Sequence, residues 1–105
     1  MANPITGAFS ATGQSATFKP SIRALAWGSF NVFLTGTGVA SVQLERSYDK
    51  GSTWCGVYGG GVQLYVWSYT GTNLSEQAVE TEQGVIYRLN CTGYTSGTVN
   101  YRLSQ

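Results

Sequence analysis

Five carboxylates, two thiols and no histidine make up the reactive side chains of this protein. Without histidine the commonest general base and the commonest nitrogen metal ligand are missing. Asp49 is the only aspartate and falls in a turn, which leaves Glu45, Glu76, Glu80 and Glu82. Glycosidase chemistry needs two carboxylates facing each other across a cleft, and nothing in this spacing builds one. Cys55 and Cys91 have no imidazole to activate them, and two thiols alone do not hold zinc. Gly59-Gly60-Gly61 lacks the Lys-Ser/Thr that completes a phosphate loop. The residues therefore predict a protein that binds or assembles rather than one that catalyses, with no cofactor and no metal.

Aromatic side chains are the other candidates. In Gln63-Leu64-Tyr65-Val66-Trp67-Ser68-Tyr69 the residues alternate, with Leu64 and Val66 on one face of a strand and Tyr65, Trp67 and Tyr69 on the other. If the aliphatic face is inward, three rings stand in a row outside. With Tyr58 they would form a contact stripe, either for a neighbouring subunit or for sugar rings that stack on aromatics. If the faces are reversed, the rings are core. Uncovered rings serving no contact would be an aggregation liability.

Composition narrows the partners. Charged residues are 10% of the 105, and the formal net charge is +1. That gives no electrostatic case for nucleic acid or an anionic membrane. Aromatic residues (3 Trp, 7 Tyr and 4 Phe) outnumber the 11 charges, which suits either a surface buried between subunits or one solvated by Ser, Thr, Asn and Gln in place of charges. Met1-Ala2-Asn3-Pro4-Ile5 lacks the basic start and apolar run of a signal peptide, so two reduced, buried thiols are expected rather than a disulfide. For the same reason Asn73-Leu74-Ser75 and Asn90-Cys91-Thr92 read as chance matches to the glycosylation triplet.

The elements that must position these residues are strands. Val42, Leu44, Arg46 and Tyr48 alternate with Gln43, Glu45 and Ser47, and an Asp49-Lys50-Gly51-Ser52 corner then turns the chain into Thr53-Trp54. Similar runs predict strands near 15–19, 24–35, 40–49, 53–58, 62–70, 74–80, 84–93 and 97–104. Glycine-bearing or polar turns separate most of them. Seven or eight short strands in one domain indicate an all-β antiparallel sandwich, immunoglobulin-like or jelly-roll, over residues 15–105. A small closed barrel is the alternative. Residues 1–14, small and polar apart from Ile5 and Phe9, which could dock on the domain, read as an N-terminal arm. The expected core is Phe30, Val32, Leu34, Val42, Leu44, Trp54, Val85, Tyr87, Leu89, Val99, Tyr101 and Leu103. Arg46 and Arg88 lie on strands near Glu45, Glu80 and Glu82, a polar constellation that could help hold the fold or its assembly. Arg46 shares a face with Val42 and Leu44, so if that face is inward it needs a carboxylate, with Glu80 and Glu82 the candidates.

Ser47-Tyr48-Asp49-Lys50-Gly51-Ser52-Thr53-Trp54 resembles the Asp-box of sialidases and many other β proteins. Its fixed positions Ser47, Asp49, Gly51 and Trp54 imply a self-bonded hairpin, which reads as structural. A single copy cannot build a propeller. The longer pattern from Val42 to Trp54, then Glu76, Glu80 and Glu82, then Tyr87-Arg88-Leu89-Asn90-Cys91-Thr92 running on to Tyr101-Arg102-Leu103-Ser104-Gln105, resembles small structural proteins of tailed bacteriophages. The resemblance spans roughly residues 28–105. It implies a virion component assembled in the host bacterial cytoplasm: a capsid decoration or cement protein, or a head or tail attachment piece. Such a protein would work as a homo-oligomer, a trimer or larger, against the major capsid or other virion proteins. The alternative is a carbohydrate-binding or host-adhesion module that engages a host surface glycan through Tyr58, Tyr65, Trp67 and Tyr69.

Overall fold

A computed structural model describes residues 3–23 and 27–105. Two antiparallel sheets pack face to face. The first holds four strands in the order β1 (Ile5–Phe9), β10 (Val99–Ser104), β3 (Ser29–Thr35), β8 (Leu74–Val79). The second holds six. β2 (Gly13–Gln14), β9 (Ile86–Ser96) and β4 (Val39–Ser47) lie in that order, and the far edge of β4 is shared by β7 (Val66–Tyr69) and β5 (Cys55–Gly59). β6 (Val62–Leu64) pairs outside β5. The expected sandwich is the observed architecture, with ten strands rather than seven or eight.

Alternation drives both layers. Phe30, Val32 and Leu34 point inward from β3, and Val42 and Leu44 from β4, each fully buried. Leu89 and Cys91 do so from β9, and Val99 and Leu103 from β10. Phe30 joins the layers, with ring centroids 5.5 Å from Phe18 and 4.8 Å from Tyr87. Each large apolar side chain so buried contributes about 1.5–3 kcal/mol before chain entropy is subtracted.

Four expectations are corrected. Residues 1–14 are not a free arm, since β1 pairs with β10 (Ile5 opposite Leu103, Phe9 opposite Val99) and β2 pairs with β9. Ring stacking holds Phe9 on Tyr101 at 4.8 Å. Residues 15–19 form only an isolated bridge between Phe18 and Tyr87, and the 24–26 part of the expected 24–35 strand lies outside the described residues. The run 62–70 is two strands, because Tyr65 takes a left-handed backbone (φ 54°) between β6 and β7. Trp54 and Tyr101 are half-buried rather than core, whereas Phe9, Phe18, Ala40, Val57, Tyr69, Ala78 and Cys91 are buried.

Candidate functional site

The outer face of the second sheet carries the most organised set of polar side chains. Opposite residues in a ladder share a face, so Gln43 beside Asn90 and Glu45 beside Arg88 put four side chains together. Glu45 is at the centre, only 6% exposed. Its carboxylate accepts hydrogen bonds from Arg88 Nε at 2.8 Å, Asn90 Nδ2 at 3.0 Å and Gln43 Nε2 at 2.6 Å. Gln14 Nε2 extends the row by donating to Asn90 Oδ1 at 3.2 Å, and Gln63 Nε2 extends it the other way to Gln43 Oε1 at 3.1 Å. Gln63 reaches across β5 because Gly56 has no side chain there. A Cβ on Gly56 would lie 2.7 Å from Gln63 Nε2. Burial pushes the Glu45 carboxyl pKa up, but the hydrogen bonds from Asn90, Arg88 and Gln43 outweigh it and leave it below the ordinary value.

Arg88 also ties this row to the hairpin. Its guanidinium carbon stands 4.2 Å from the centroid of the Trp54 ring. The hairpin bonds itself as its residue types require. Ser47 Oγ accepts Gly51 N–H at 2.8 Å and donates to Asp49 Oδ1 at 2.7 Å, while Thr53 N–H donates to Asp49 Oδ1 at 2.8 Å. Gly51 has a φ of 94° and sits against Trp54. Ser47, Asp49, Gly51 and Trp54 are thus brought together as a structural hairpin. Bonds from Ser47 and Thr53 hold the Asp49 carboxyl below its usual value.

A second polar cluster lies between the layers. Arg46 points inward, as its position beside Val42 and Leu44 requires, and meets Glu80, with Nη1 and Oε1 3.6 Å apart. Tyr87 Oη donates to Glu80 Oε1 at 2.7 Å, and Glu82 N–H donates to Glu80 Oε2 at 2.8 Å. Burial, then the bond to Glu80, raise the Tyr87 pKa well above that of a free phenol. Of the two expected carboxylates, Glu80 is the partner and Glu82 supplies a backbone N–H. Trp67 Nε1 donates to Glu76 at 2.8 Å, so four of the five carboxylates hold parts of the fold together.

The aromatic stripe does not form. Val42 opposite Trp67 and Ala40 opposite Tyr69 place both rings on the core side, and Gln43 opposite Val66 places the valine outside. Tyr69 is 1% exposed and donates to the Gly36 carbonyl at 2.8 Å. Tyr65 and Trp67 are half-buried against the core. Only Tyr58 of the four is exposed; Val66 is exposed on the same outer face, and Val62 and Leu64 are exposed on the opposite face of the β5–β6 ribbon. The reversal follows from pairing: β7 lies on β4, and a large ring fills the space between layers better than valine does. Cys55 is exposed and Cys91 buried, both as free thiols, so the expectation of two buried thiols holds for one. The Arg88–Glu45 pair at the centre of this row is one the sequence reading placed together, whereas the amides Gln14, Gln43, Gln63 and Asn90 escaped it.

The chain matches no family model, no curated protein and no solved structure.

Proposed function

We propose that this protein is a structural component of a tailed-bacteriophage particle, a sandwich that acts through contacts with other protein subunits and performs no reaction. The observation that carries the proposal is the set of exposed apolar side chains around β6, with Val62 and Leu64 on the face of Val57 and with Tyr58 and Val66 on the opposite face. Apolar side chains left in water on adjoining strands are a cost that a protein–protein contact removes. Two further features support the same reading. Four carboxylates are engaged in holding the fold together. Edge strands β1 and β8 carry one charge between them, Glu76. The sugar-binding alternative is left with Tyr58 alone of its four rings.

Antibody raised against the purified chain tests the proposal. It should label intact particles released by the host that carries the coding sequence, with a fixed copy number per particle by quantitative mass spectrometry. Recovery of the chain only in the soluble lysate, with clean particles, would defeat the reading.

A further inference from the structure

Among the described residues the four-stranded sheet ends at β8, and the edge it presents suits one particular occupant. We propose that a second copy of this chain pairs with it, β8 against β8 in antiparallel register about a twofold axis through Gln77. This deepens the assembly reading by naming one partner and one contact, and it rests on that reading only for the premise that copies associate.

Three observations carry it. First, the layers are unequal. β7 faces β8, since Trp67 Nε1 bonds Glu76 at 2.8 Å. β6 lies farther out on the same side, beyond β5. Leu64 and Val62 share a ribbon face with buried Val57, yet they are 40% and 64% exposed. The short layer therefore stops before it passes beneath β6, and a strand added to β8 continues it in that direction.

Second, the edge is only lightly defended. Natural edges are blunted by lysine, proline or an inward-pointing charge. Leu74-Ser75-Glu76-Gln77-Ala78-Val79 has only the last of these, Glu76, and Trp67 already holds that carboxylate.

Third, the pairing rules leave one register. A twofold axis perpendicular to the sheet keeps the inner face inner, so inward residues 74, 76 and 78 must oppose inward residues. Setting Glu76 against Glu76 of the partner subunit opposes like charges directly and is disfavoured. Moving the axis to Gln77 instead sets Glu76 against Ala78 of the partner subunit, Ser75 against Val79 of the partner subunit, and Gln77 against its own copy. That register keeps all of residues 75–79 paired; centring on Ser75 or Ala78 pairs fewer. It also does something for the outer face. Phe33 (40% exposed) stands beside Ser75 in the existing ladder, so Val79 of the partner subunit falls next in the same row. Val79 is 54% exposed, so the two large exposed apolar side chains of these strands fall in one outer-face row, and the twofold repeats that row in each copy.

The register is tested by single cysteines in the full chain, with exposed Cys55 replaced by serine. Directly opposed Cα atoms lie about 4.5–5.5 Å apart, within disulfide range. Gln77→Cys should give a disulfide-linked dimer on mild oxidation. Ser75→Cys should not, whereas Ser75→Cys with Val79→Cys should. In light scattering, Gln77→Lys should weaken dimerisation by about tenfold or more by placing two ammonium groups face to face, and Thr6→Lys on the β1 edge should not. Circular dichroism checks that each variant is folded. Absence of the Gln77→Cys link in a folded variant overturns the proposal whatever the oligomeric state, as does equal linking through Ser75→Cys. Particle labelling is read separately, so this contact can fail while the virion reading stands.

Discussion

Glu45 shows how a single charge organises a sheet face. Its three donors come from β4 and β9, and the charge is stabilised by bonds that exist only in the folded state. A carboxyl held below its ordinary value of 4.5 contributes stability above that value and loses it as pH falls through the lower folded value. Glu45→Gln should therefore cost about 1–3 kcal/mol at pH 7 in urea unfolding. The cost should shrink once pH drops below the ordinary carboxyl value, and an undiminished cost at pH 3 would show that shape rather than charge is responsible. The two thiols give a second residue-scale outcome. Cys55 is exposed, whereas Cys91 is buried and its burial raises the thiol pKa. Native protein should titrate one thiol per chain with a disulfide reagent, and denatured protein two.

At the scale of elements, the N-terminal segment changes most between expectation and structure. Ile5-Thr6-Gly7-Ala8-Phe9 is short and small, and it alternates weakly because its outer side is solvent. What makes it a strand is β10, ninety residues away in sequence, which no local pattern reveals. Phe9 is 5% exposed beneath Tyr101, so Phe9→Ala should destabilise the domain by about 3–5 kcal/mol, measurable by denaturant unfolding. A change under 1 kcal/mol would restore the picture of a loosely docked arm. Strands with one polar and one apolar face are legible: the alternation over 40–49 gives the strand, and gives Glu80 or Glu82 as the partner of Arg46 once its face is inward. The segment 62–70 is not, because both its faces are apolar and period two does not say which is inside. Pairing of β7 with β4 decides that, and the left-handed Tyr65 then moves the chain from β5 to β4. The amide row on the outer face was legible in residue type only, since its members come from β2, β4, β6 and β9 and meet through register.

The molecule as a whole is closed by its two ends. β1 and β10 are neighbours, with Ile5 opposite Leu103, so the start and finish of the sandwich lie one strand spacing apart. Gln105 adds to the closure, its side-chain nitrogen donating to the carbonyls of Ser21 and Ser29 at 2.9 Å each. The four-stranded sheet cannot be completed until both ends are in place, and the six-stranded sheet needs β2 against β9, so the fold is dominated by contacts distant in sequence. Folding in milliseconds to seconds, slower than a helical domain of this size, is the usual consequence. The same closure means that the order of the chain matters less than its pairings. Gly60 and Gly61 form the two-residue β5–β6 turn with positive φ of 61° and 82°, exposed and with nothing within 4 Å of where a side chain would begin. Joining the ends with a short flexible linker and opening the chain between Gly60 and Gly61 breaks no buried contact, so this permutant should fold with the parent circular dichroism spectrum and melt within a few degrees of it. Opening instead between Leu89 and Asn90, in the centre of β9, severs the strand that carries β2 on one side and β4 on the other, and that permutant should not fold. If the Gly60 opening unfolds the protein as thoroughly as the Leu89 opening does, the β5–β6 hairpin is a required element of the sandwich rather than a projection from it.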